Sequence, residues 1–523
     1  MSSLQNIKNL FIEGMAYARK KYKSILYDPC HDLCDYQIKL VNQATDINTV
    51  MNAIWLGNLN YVWSSSFNAP QPICSGCELA HTQIQFGVGP VEWYFLYGTH
   101  GNLCYNLTFF KLEIAPPKVI KKHINDGSLS LENSVMWNVL GGFGTIPSSG
   151  QAPVWNSIQS EWISMIYETK SYSTFVLQGS GQNINVTLQS ITPMTFDVVL
   201  TFKDTAGINH EFNTSMSALT PPLPNVANSC ECGYGLGSFY YSYPSMSCVI
   251  KADGNTSPNS GFGWIDHQLI KNGIANSLYG QSLQTLSSII NKNVSGGWLW
   301  TTIQDNETSI QYMFTHFFAK KFYQDDIMLN NNISASMVNV YKKGVANFNS
   351  NDSEIDTSDF SMTMTKTVLS PYTNMNMPAS YNIILPGGKK VVLSISTAPN
   401  VYPTAFAPYE TPALLYDENG HVIGQGLIEA NFYFDNNTMV SRLIDFAGGN
   451  SKNSSEVNTV MNALNRRQSM FQKFLGLIIV LMPLIVLLGC LLFIFKFRKE
   501  KITKTTKTLF VVAVCLLLYF LLF

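Results

Sequence analysis

Charged residues are scarce in this sequence, and their signs are balanced. Lysine, arginine, aspartate and glutamate make up 13% of the 523 residues, about half of the ~25% found in ordinary soluble domains. The 33 Lys and Arg residues against 34 Asp and Glu residues give a formal net charge of −1. Because nucleic-acid binding needs a basic face, this balance excludes a general role on DNA or RNA. The 12% of aromatic residues excludes global disorder.

Several catalytic motifs are missing as well. The sequence has no Gly-Lys-Ser/Thr phosphate loop, no His-Glu-x-x-His pair and no Gly-x-Ser-x-Gly elbow. Gly235 and Gly237 are not followed by a third glycine and a helix, which argues against a dinucleotide site. We therefore predict neither a cofactor nor a bound metal ion.

The cysteines leave the redox compartment open. Their even number outside the apolar tail suits disulfides in an oxidising compartment, and the short spacings Cys30–Cys34 and Cys74–Cys77 are also typical of a four-thiolate zinc site. Free thiols are the third alternative. The eight cysteines concerned are Cys30, Cys34, Cys74, Cys77, Cys104, Cys230, Cys232 and Cys248.

A long uncharged run near the C-terminus predicts a membrane anchor. Residues 474–495 contain no charged side chain, and 22 residues at ~1.5 Å each reach about 33 Å, enough for the ~30 Å core of a bilayer. Residues 509–523 form a second, shorter apolar segment, so a helical hairpin is an alternative. The link at 496–508 is strongly basic and belongs in the cytoplasm by the positive-inside rule.

The side of the membrane on which the body lies stays open. The first 24 residues lack the apolar core of a signal peptide, which favours a cytosolic body and opposes the positive-inside argument. Glycosylation sequons would matter only for a lumenal body. They lie at Asn106, Asn185, Asn213, Asn255, Asn293, Asn306, Asn332, Asn351, Asn436 and Asn453.

The remaining chain changes from helical to strand character. Asp46, three residues before Thr49, is positioned to cap a short amphipathic helix. Two aromatic runs, 91–97 and 103–114, are joined by a Gly-Asn turn and predict a β-hairpin. We predict a polar insertion loop at 330–359 and a polar stalk at 438–473. Further strands are predicted at 173–177, 184–191, 195–202, 239–243, 297–303, 309–316, 381–385, 390–396, 413–416 and 426–434.

Five motifs, in order, resemble one family. They begin with Glu92-Trp93-Tyr94-Phe95 ahead of Gly98, and the others are Ser238 to Pro244, Gly263 to Gln268, Gly297-Trp298-Leu299-Trp300, and Tyr409-Glu410 with Gly424 to Glu429. Together they resemble the AttH-like lipocalin family, which includes hydroxyneurosporene synthase (carotenoid 1,2-hydratase) and fungal lipocalin-like Diels–Alderases. The resemblance covers roughly residues 84–435.

The resemblance implies an all-β fold of two lipocalin-like antiparallel barrels side by side, with a cavity for an apolar ligand. A small mixed or helical N-terminal region precedes the barrels. The predicted divisions are an N-terminal region at 1–83, a first lipocalin-like domain at 84–285, a second at 286–437, the stalk at 438–473, the transmembrane helix at 474–495, the basic link at 496–508 and the second apolar segment at 509–523.

The sequence departs from the family pattern in places that weaken the transfer of chemistry. Tyr94 replaces a tryptophan, and Ser245 replaces the arginine that usually follows the second motif. The glycine after the Asp-His pair falls late, at Gly273, and Thr411 and Pro412 replace the last residues of the closing motif.

The candidate chemical residues are Asp266 and His267. A carboxyl group desolvated in an aromatic pocket stays protonated and can act as a general acid, as hydration of a carbon–carbon double bond requires. In that hypothesis His267 orients the carboxyl group or relays protons. The alternatives for the pair are a structural role in a turn and orientation of a ligand. Predicted ligand-binding residues are Trp93, Tyr240, Tyr241, Tyr243, Trp264, Trp298 and Trp300.

The favoured hypothesis is a membrane-anchored protein that binds a hydrophobic small molecule, namely a lipid, isoprenoid or polyketide. Its expected partners are the lipid bilayer and that molecule. The second hypothesis is a hydratase- or cyclase-like enzyme acting on an isoprenoid or polyketide, with Asp266 as the acid. The third is a structural membrane protein of a cell or virion surface.

Overall fold

The structure is a computed structural model of the chain. It describes residues 4–22, 31–58, 91–130, 133–145, 154–171, 174–192, 194–219, 223–224, 238–256, 261–270, 295–319, 332–333, 337–342, 360–369, 376–396, 409–432 and 437–460. The chain divides into two units, Met1–Arg466 and Arg467–Phe523, and everything below concerns the first. None of the described helices combines the length and the apolar character needed to cross a membrane. The apolar segments predicted at 474–495 and 509–523 lie outside the described residues.

Three helices form the described part of the N-terminal region. They are α1 (Leu4–Tyr22), α2 (His31–Gln43) and α3 (Ile47–Asn58). The predicted cap of α3 is confirmed: the Asp46 carboxylate accepts hydrogen bonds from the Thr49 backbone N–H at 2.9 Å and from the Thr49 hydroxyl at 2.7 Å. These bonds satisfy a backbone donor that has no partner within the first turn of a helix.

Among the described residues, fourteen strands form the first sheet, all paired antiparallel. A helix, α4 (Pro117–Asn125), lies between its second and third strands. The strands are β1 (Val91–His100), β2 (Leu103–Glu113), β3 (Val135–Thr145), β4 (Val154–Ser157), β5 (Trp162–Ile163), β6 (Met165–Ser171), β7 (Thr174–Ser180), β8 (Ile184–Thr192), β9 (Thr195–Lys203), β10 (Asn209–Ala218), β11 (Leu223–Pro224), β12 (Ser238–Ala252), β13 (Asn255–Thr256) and β14 (Gly261–Ile270).

The first sheet curls on itself. Its spatial order is β4-β3-β2-β1-β14-β12-β10-β9-β8-β7-β6, so five strands separate β1 from β7. Nevertheless the rings of Tyr94 on β1 and Phe175 on β7 lie 6.0 Å apart. Ile158, just after β4, also forms a bridge with Asp204 at the end of β9. Side chains from both ends of the sheet therefore share one interior.

The predicted hairpin at the start of this sheet is confirmed. Strands β1 and β2 pair up to His100 opposite Leu103, which leaves a two-residue turn of Gly101 and Asn102. Gly101 has a φ of +61°, a conformation that favours glycine and is required by the tight turns of such hairpins.

The second sheet, over the part of the chain that the structure describes, has nine strands in the order β17-β19-β20-β21-β22-β23-β15-β16-β18. It also curls, because Phe314 on β16 stacks on Phe360, next to β19, with ring centroids 4.3 Å apart. The strands are β15 (Ser295–Asp305), β16 (Ile310–Ala319), β17 (Asn332–Ile333), β18 (Met337–Lys342), β19 (Ser361–Leu369), β20 (Asn376–Ile384), β21 (Lys390–Ile395), β22 (Tyr409–Tyr416) and β23 (Val422–Phe432).

The insertion loop predicted at 330–359 is wrong in part, because it contains β17 and β18. The run Met337-Val338-Asn339-Val340-Tyr341 has the β-branched and aromatic residues that favour a strand. Its pairing with β16 shows that this local preference prevails over the polar composition around it.

The polar stalk predicted at 438–473 is also wrong over its described part. Residues 437–446 form α5 (Asn437–Phe446), and residues 454–460 are helical as well. The Asn52 amide on α3 donates to the Phe446 carbonyl at 3.0 Å, and the Tyr36 hydroxyl on α2 donates to the Glu456 carboxylate at 2.5 Å. The segment is polar on average, but one face of the helix is apolar and includes the buried Leu443. Average composition does not show such a face, which is why the sequence predicted a stalk.

Burial patterns show which strands are covered on both sides. In β8 and β9 buried and more exposed residues alternate, so one face meets the interior and the other meets solvent. In β2 every residue is buried, and in β3 all but the last. Their outer faces are covered partly by the helices, whose core includes Phe110 of β2, and β2 also contacts the second sheet.

Candidate functional site

The family-like motifs come together in space. The motifs of the first half lie on three neighbouring strands of the first sheet, in the order β1-β14-β12. The motifs of the second half lie on three neighbouring strands of the second sheet, in the order β22-β23-β15. Side chains from the two groups of strands contact each other. We call this contact region the junction. It is formed by outward-facing residues of β1, β2, β12 and β14 in the first sheet and of β15, β16, β22 and β23 in the second.

Aromatic rings form the centre of the junction. Trp300 of the second sheet meets Phe95 edge-on at a centroid distance of 5.6 Å and Trp264 at 6.0 Å. Trp93 is half-buried and packs at the margin of the same cluster. The buried members are Phe95, Tyr97, Phe262, Trp264, Trp300, Met313 and Leu427.

Hydroxyl and amide groups cross the junction beside these rings. The hydroxyls of Tyr97 and Thr302 are hydrogen-bonded at 2.5 Å. The Thr99 hydroxyl donates to the Gln425 amide oxygen, and the Gln425 amide nitrogen donates to Gln304 at 2.9 Å. Specific polar contacts therefore fix the relative register of the two sheets at this point.

A buried glutamate occupies one side of the junction. The Asn106 amide of β2 donates to the Glu410 carboxylate and to its backbone carbonyl, both at 3.2 Å, and the Thr108 hydroxyl donates to the carboxylate at 3.5 Å. Glu410 is directly opposite Glu429 on the neighbouring strand. Both glutamates belong to the closing family-like motif, but the sequence analysis does not predict Glu410 as a site residue. The signal that could have identified it is a charged residue inside an apolar strand.

Asp266 lies on the other side of the rings. It is 4% exposed, and its Oδ1 accepts hydrogen bonds from the Ser242 hydroxyl and from the Trp264 indole N–H at 2.7 Å. Burial raises the pKa of the Tyr97 hydroxyl, and the nearby Asp266 charge raises it further. Donors aimed at a carboxylate favour its charged form and oppose the effect of desolvation.

The Asp-His pair does not act as one unit. His267 stacks on Tyr94 with a centroid distance of 4.1 Å and an interplanar angle of 5°, and Tyr94 belongs to the interior of the first sheet. Successive side chains of a strand point to opposite faces, so Asp266 faces the junction and His267 faces the interior. This placement corrects the hypothesis that His267 orients the Asp266 carboxyl group or relays its proton.

The predicted ligand-binding residues divide in the same way. Trp264 and Trp300 are buried in the junction, and Trp93 is at its margin. Tyr243 is instead in the interior of the first sheet, where it meets Phe196 edge-on at 5.1 Å. For the other three the structure describes backbone strand positions, while their side chains lie outside the described part: Tyr240, Tyr241 and Trp298.

The cysteine alternatives are tested at two positions. Cys104 and Cys248 are free and buried, and burial raises the pKa of each thiol to about 12. Within the described parts of the chain, no group of three metal-ligating side chains comes together. The side chains of the proposed zinc ligands Cys30, Cys34, Cys74 and Cys77 lie outside the described residues, as do Cys230 and Cys232.

Comparison with solved structures finds chains of low similarity to this one. An AttH-like protein from Nitrosomonas europaea matches with a TM-score of 0.41 and 12% sequence identity, over 70% of this chain and 99% of that chain. CghA matches with a TM-score of 0.37 and 12% identity, over 71% of this chain and 98% of that chain. CghA with Sch210972 matches with a TM-score of 0.36 and 11% identity, over 66% and 89%. No protein-family model and no curated protein matches the sequence.

Proposed function

We propose that this protein binds a hydrophobic small molecule, a lipid, isoprenoid or polyketide, at the junction. The observation that carries the proposal is the aromatic cluster shared by the two sheets, which combines rings with a few buried polar groups. Ligand sites are mostly apolar and use a small number of placed polar groups for orientation. Here Asp266 and Glu410 are those groups, on either side of Phe95 and Trp300.

Trp93 is the expected point of contact with the ligand. It is half-buried, stacks on Phe110 at 6.5 Å with an interplanar angle of 23°, and is the least covered of the junction tryptophans whose side chains are described. An aromatic ring that is open on one side offers a large apolar surface to an incoming molecule.

Binding is favoured over the hydratase alternative by the hydrogen bonds to Asp266. A general acid must carry a proton when the substrate arrives. The Ser242 hydroxyl and the Trp264 indole both donate to Asp266, and donors stabilise the carboxylate, not the acid. Asp266 is thus suited to orienting a polar group of the ligand through the junction.

The test is to identify what the purified full-length chain carries. The protein is extracted in mild detergent, the co-purified organic fraction is analysed by mass spectrometry, and the same is done for Trp93→Ala and Trp155→Ala. Trp155 is a matched control, because it is also half-buried in the first sheet but lies at the edge strand β4. We expect a ligand that is lost from Trp93→Ala and kept by Trp155→Ala; equal ligand content in all three proteins sinks the proposal.

We further propose that residues 474–495 anchor the protein in a membrane. The support is the uncharged length of the segment. The full chain should stay with membranes during alkaline extraction, and Ile485→Lys with Leu488→Lys should release it, since charges at the centre of a bilayer are costly. Release of the unaltered chain by alkali would refute the anchor.

The sequons provide a test of the side on which the body lies. Asn255 and Asn306 are exposed, whereas Asn106 is fully buried and hydrogen-bonded to Glu410. In a lumenal body, Asn255→Gln and Asn306→Gln should each remove a glycan-dependent mobility shift, and Asn106→Gln should not. If glycanase treatment changes the mobility of none of these proteins and external protease digests the body completely, the body is cytosolic.

A further inference from the structure

The interior of the second sheet contains buried hydroxyl groups that lack a partner. Tyr381 and Thr301 are both 0% exposed, and neither hydroxyl makes a hydrogen bond within the described part of the chain. Buried polar groups nearly always find a partner, in protein, water or ligand. Two such groups inside one sheet therefore call for a physical explanation.

A third hydroxyl lies near that of Tyr381. Tyr409, also in this interior, donates from its hydroxyl to the Pro378 carbonyl at 2.6 Å. Burial raises the pKa of Tyr381 well above its ordinary value, and the neighbouring Tyr409 raises it further. In the strand register, Thr301 is opposite Ile428, and Ile428 is opposite Thr411. Thr301 on β15 therefore faces the same interior as Tyr381 on β20 and Tyr409 on β22, with β23 between β15 and β22.

Flexible apolar side chains surround this group. Met364 is directly opposite Tyr381, and Met362 and Met377 belong to the same core. Methionine has three rotatable bonds and a polarizable sulfur, so it adapts to irregular shapes and is common at surfaces that bind apolar molecules. The interior therefore combines adaptable apolar walls with hydrogen-bonding capacity.

We propose that the interior of the second sheet is a separate binding site for a hydrophobic molecule that carries a neutral hydrogen-bonding oxygen, such as a ketone or an ester. The Tyr381 hydroxyl donates to that oxygen, and the Thr301 hydroxyl is a second available donor in the same interior. A neutral group fits because this core is apolar apart from its hydroxyls, and the buried Asp305 that acts on Tyr312 of the core is already paired with Lys389. A further, unpaired charge there is expensive to bury. The site is distinct from the junction, since Thr301 faces the interior while Trp300 and Thr302 face the first sheet.

The experiment compares two fluorescent probes on the full-length, detergent-solubilised chain. Prodan is apolar with one ketone oxygen, and diphenylhexatriene is a pure hydrocarbon. In Tyr381→Phe and Thr301→Val we expect the prodan affinity to fall about tenfold, the factor carried by one hydrogen bond of ~1.4 kcal/mol, with diphenylhexatriene unchanged. Tyr312→Phe is the matched control in the same sheet, because the Tyr312 hydroxyl bonds to Thr308.

The outcomes separate this site from the junction. Loss of prodan affinity in Tyr381→Phe but not in Trp93→Ala supports the interior site, even if the junction proves to bind nothing. Loss in Trp93→Ala alone refutes the interior site and leaves the junction proposal standing. Unchanged prodan affinity together with a raised Tm in Tyr381→Phe and Thr301→Val also overturns the inference, because removing an unpaired hydroxyl from a closed, packed interior is stabilising.

Discussion

The interiors of the two sheets differ in their share of aromatic rings. Among the described residues, rings are ten of the 29 residues in the buried core of the first sheet and four of the 18 in that of the second. Aliphatic side chains make up most of the rest, and each core also contains three methionines. Phe143 illustrates the first, because it meets Phe202, Phe212 and His210 at centroid distances of 6.0, 5.6 and 5.5 Å. The aromatic residues buried in the first interior are Tyr94, Tyr105, Phe109, Trp137, Phe143, Phe175, Phe196, Phe202, Phe212 and Tyr243.

We expect this difference to make the first sheet a structural half and the second a more adaptable one. Interlocked rings have few rotamers and fix one packing arrangement, so the first sheet is suited to holding its shape. Methionine, which can repack around a guest molecule, is three of the 18 buried core residues in the second interior and three of the 29 in the first. The junction joins the two sheets through Phe95 and Trp300.

The largest expected effect comes from removing a ring from the first interior. Trp137→Ala should lower the free energy of unfolding by about 3–5 kcal/mol, because the surrounding rings cannot collapse into the space. Met364→Ala should cost about 2 kcal/mol, the low end for such a change, because its neighbours relax. Urea unfolding of the full chain, followed by tryptophan fluorescence and circular dichroism, checks both. Equal losses at the two positions would break the comparison.

The next effect concerns the junction. Asp266→Ala leaves the Ser242 hydroxyl and the Trp264 N–H buried without their acceptor, and this should cost about 1–3 kcal/mol. Asp266→Asn keeps an acceptor oxygen and should cost less. The same urea experiment measures the difference, and a variant pair of identical stability would contradict the assigned role. If a turnover assay is found, unchanged turnover in Asp266→Asn would also exclude Asp266 as the acid.

Much of the fold was predictable from local sequence. The β1–β2 hairpin and the cap at Asp46 were predicted correctly because they depend on a few neighbouring residues. The strands at Val135–Thr145 and Asn209–Ala218 were missed. In β3 burial on both faces removes the alternation that signals a strand, and in β10 the exposed face is rich in polar residues that suggest a loop.

The candidate site was predictable only in part, because it depends on contacts between distant strands. Motifs identified Asp266, Trp264 and Trp300, which the fold brings together. They also selected His267 and Tyr243, since adjacent letters of a motif fall on opposite faces of a strand. Which face meets the second sheet is a property of the tertiary fold and is not contained in the motif.

Extremes of pH should affect the two sheets from opposite directions. In the first, desolvation raises the pKa of Asp204, but bonds from the Ile208 backbone and from His210 outweigh it and leave the pKa below its usual range. A depressed carboxyl pKa stabilises the fold above the unfolded value of about 3.9 and loses this contribution as pH falls through the folded pKa. Asp204→Asn should therefore flatten the fall in Tm below about pH 4.

In the second sheet the corresponding group is Lys389. Desolvation lowers its pKa, but hydrogen bonds to Asp305 at 2.6 Å and Glu307 at 2.9 Å outweigh this and raise it. A raised lysine pKa stabilises the fold below about 10.4, and this contribution is lost as pH rises through the folded pKa. Lys389→Met should flatten the alkaline fall in Tm; an alkaline fall as steep as that of the unaltered chain would contradict the assignment.

The smallest expected effect is on thiol chemistry, and it reports on the first sheet alone. Cys104 and Cys248 both lie in that sheet, whereas no cysteine occurs between residues 249 and 489. Since burial raises the pKa of both thiols to about 12, almost no thiolate is present at pH 8, and only the thiolate reacts. Iodoacetamide should therefore spare these two positions until urea opens the first sheet.

Peptide-level mass spectrometry distinguishes Cys104 and Cys248 from the other cysteines of the chain. If the first sheet is the structural half, labelling of these two should begin at a higher urea concentration than the loss of prodan binding, because the second interior should open first. Met364→Ala should move the loss of prodan binding to lower urea without moving the labelling. In every variant, cysteine labelling and the loss of prodan binding could instead occur at the same urea concentration. The two sheets would then unfold as one cooperative unit, and the contrast between their interiors would have no consequence for stability.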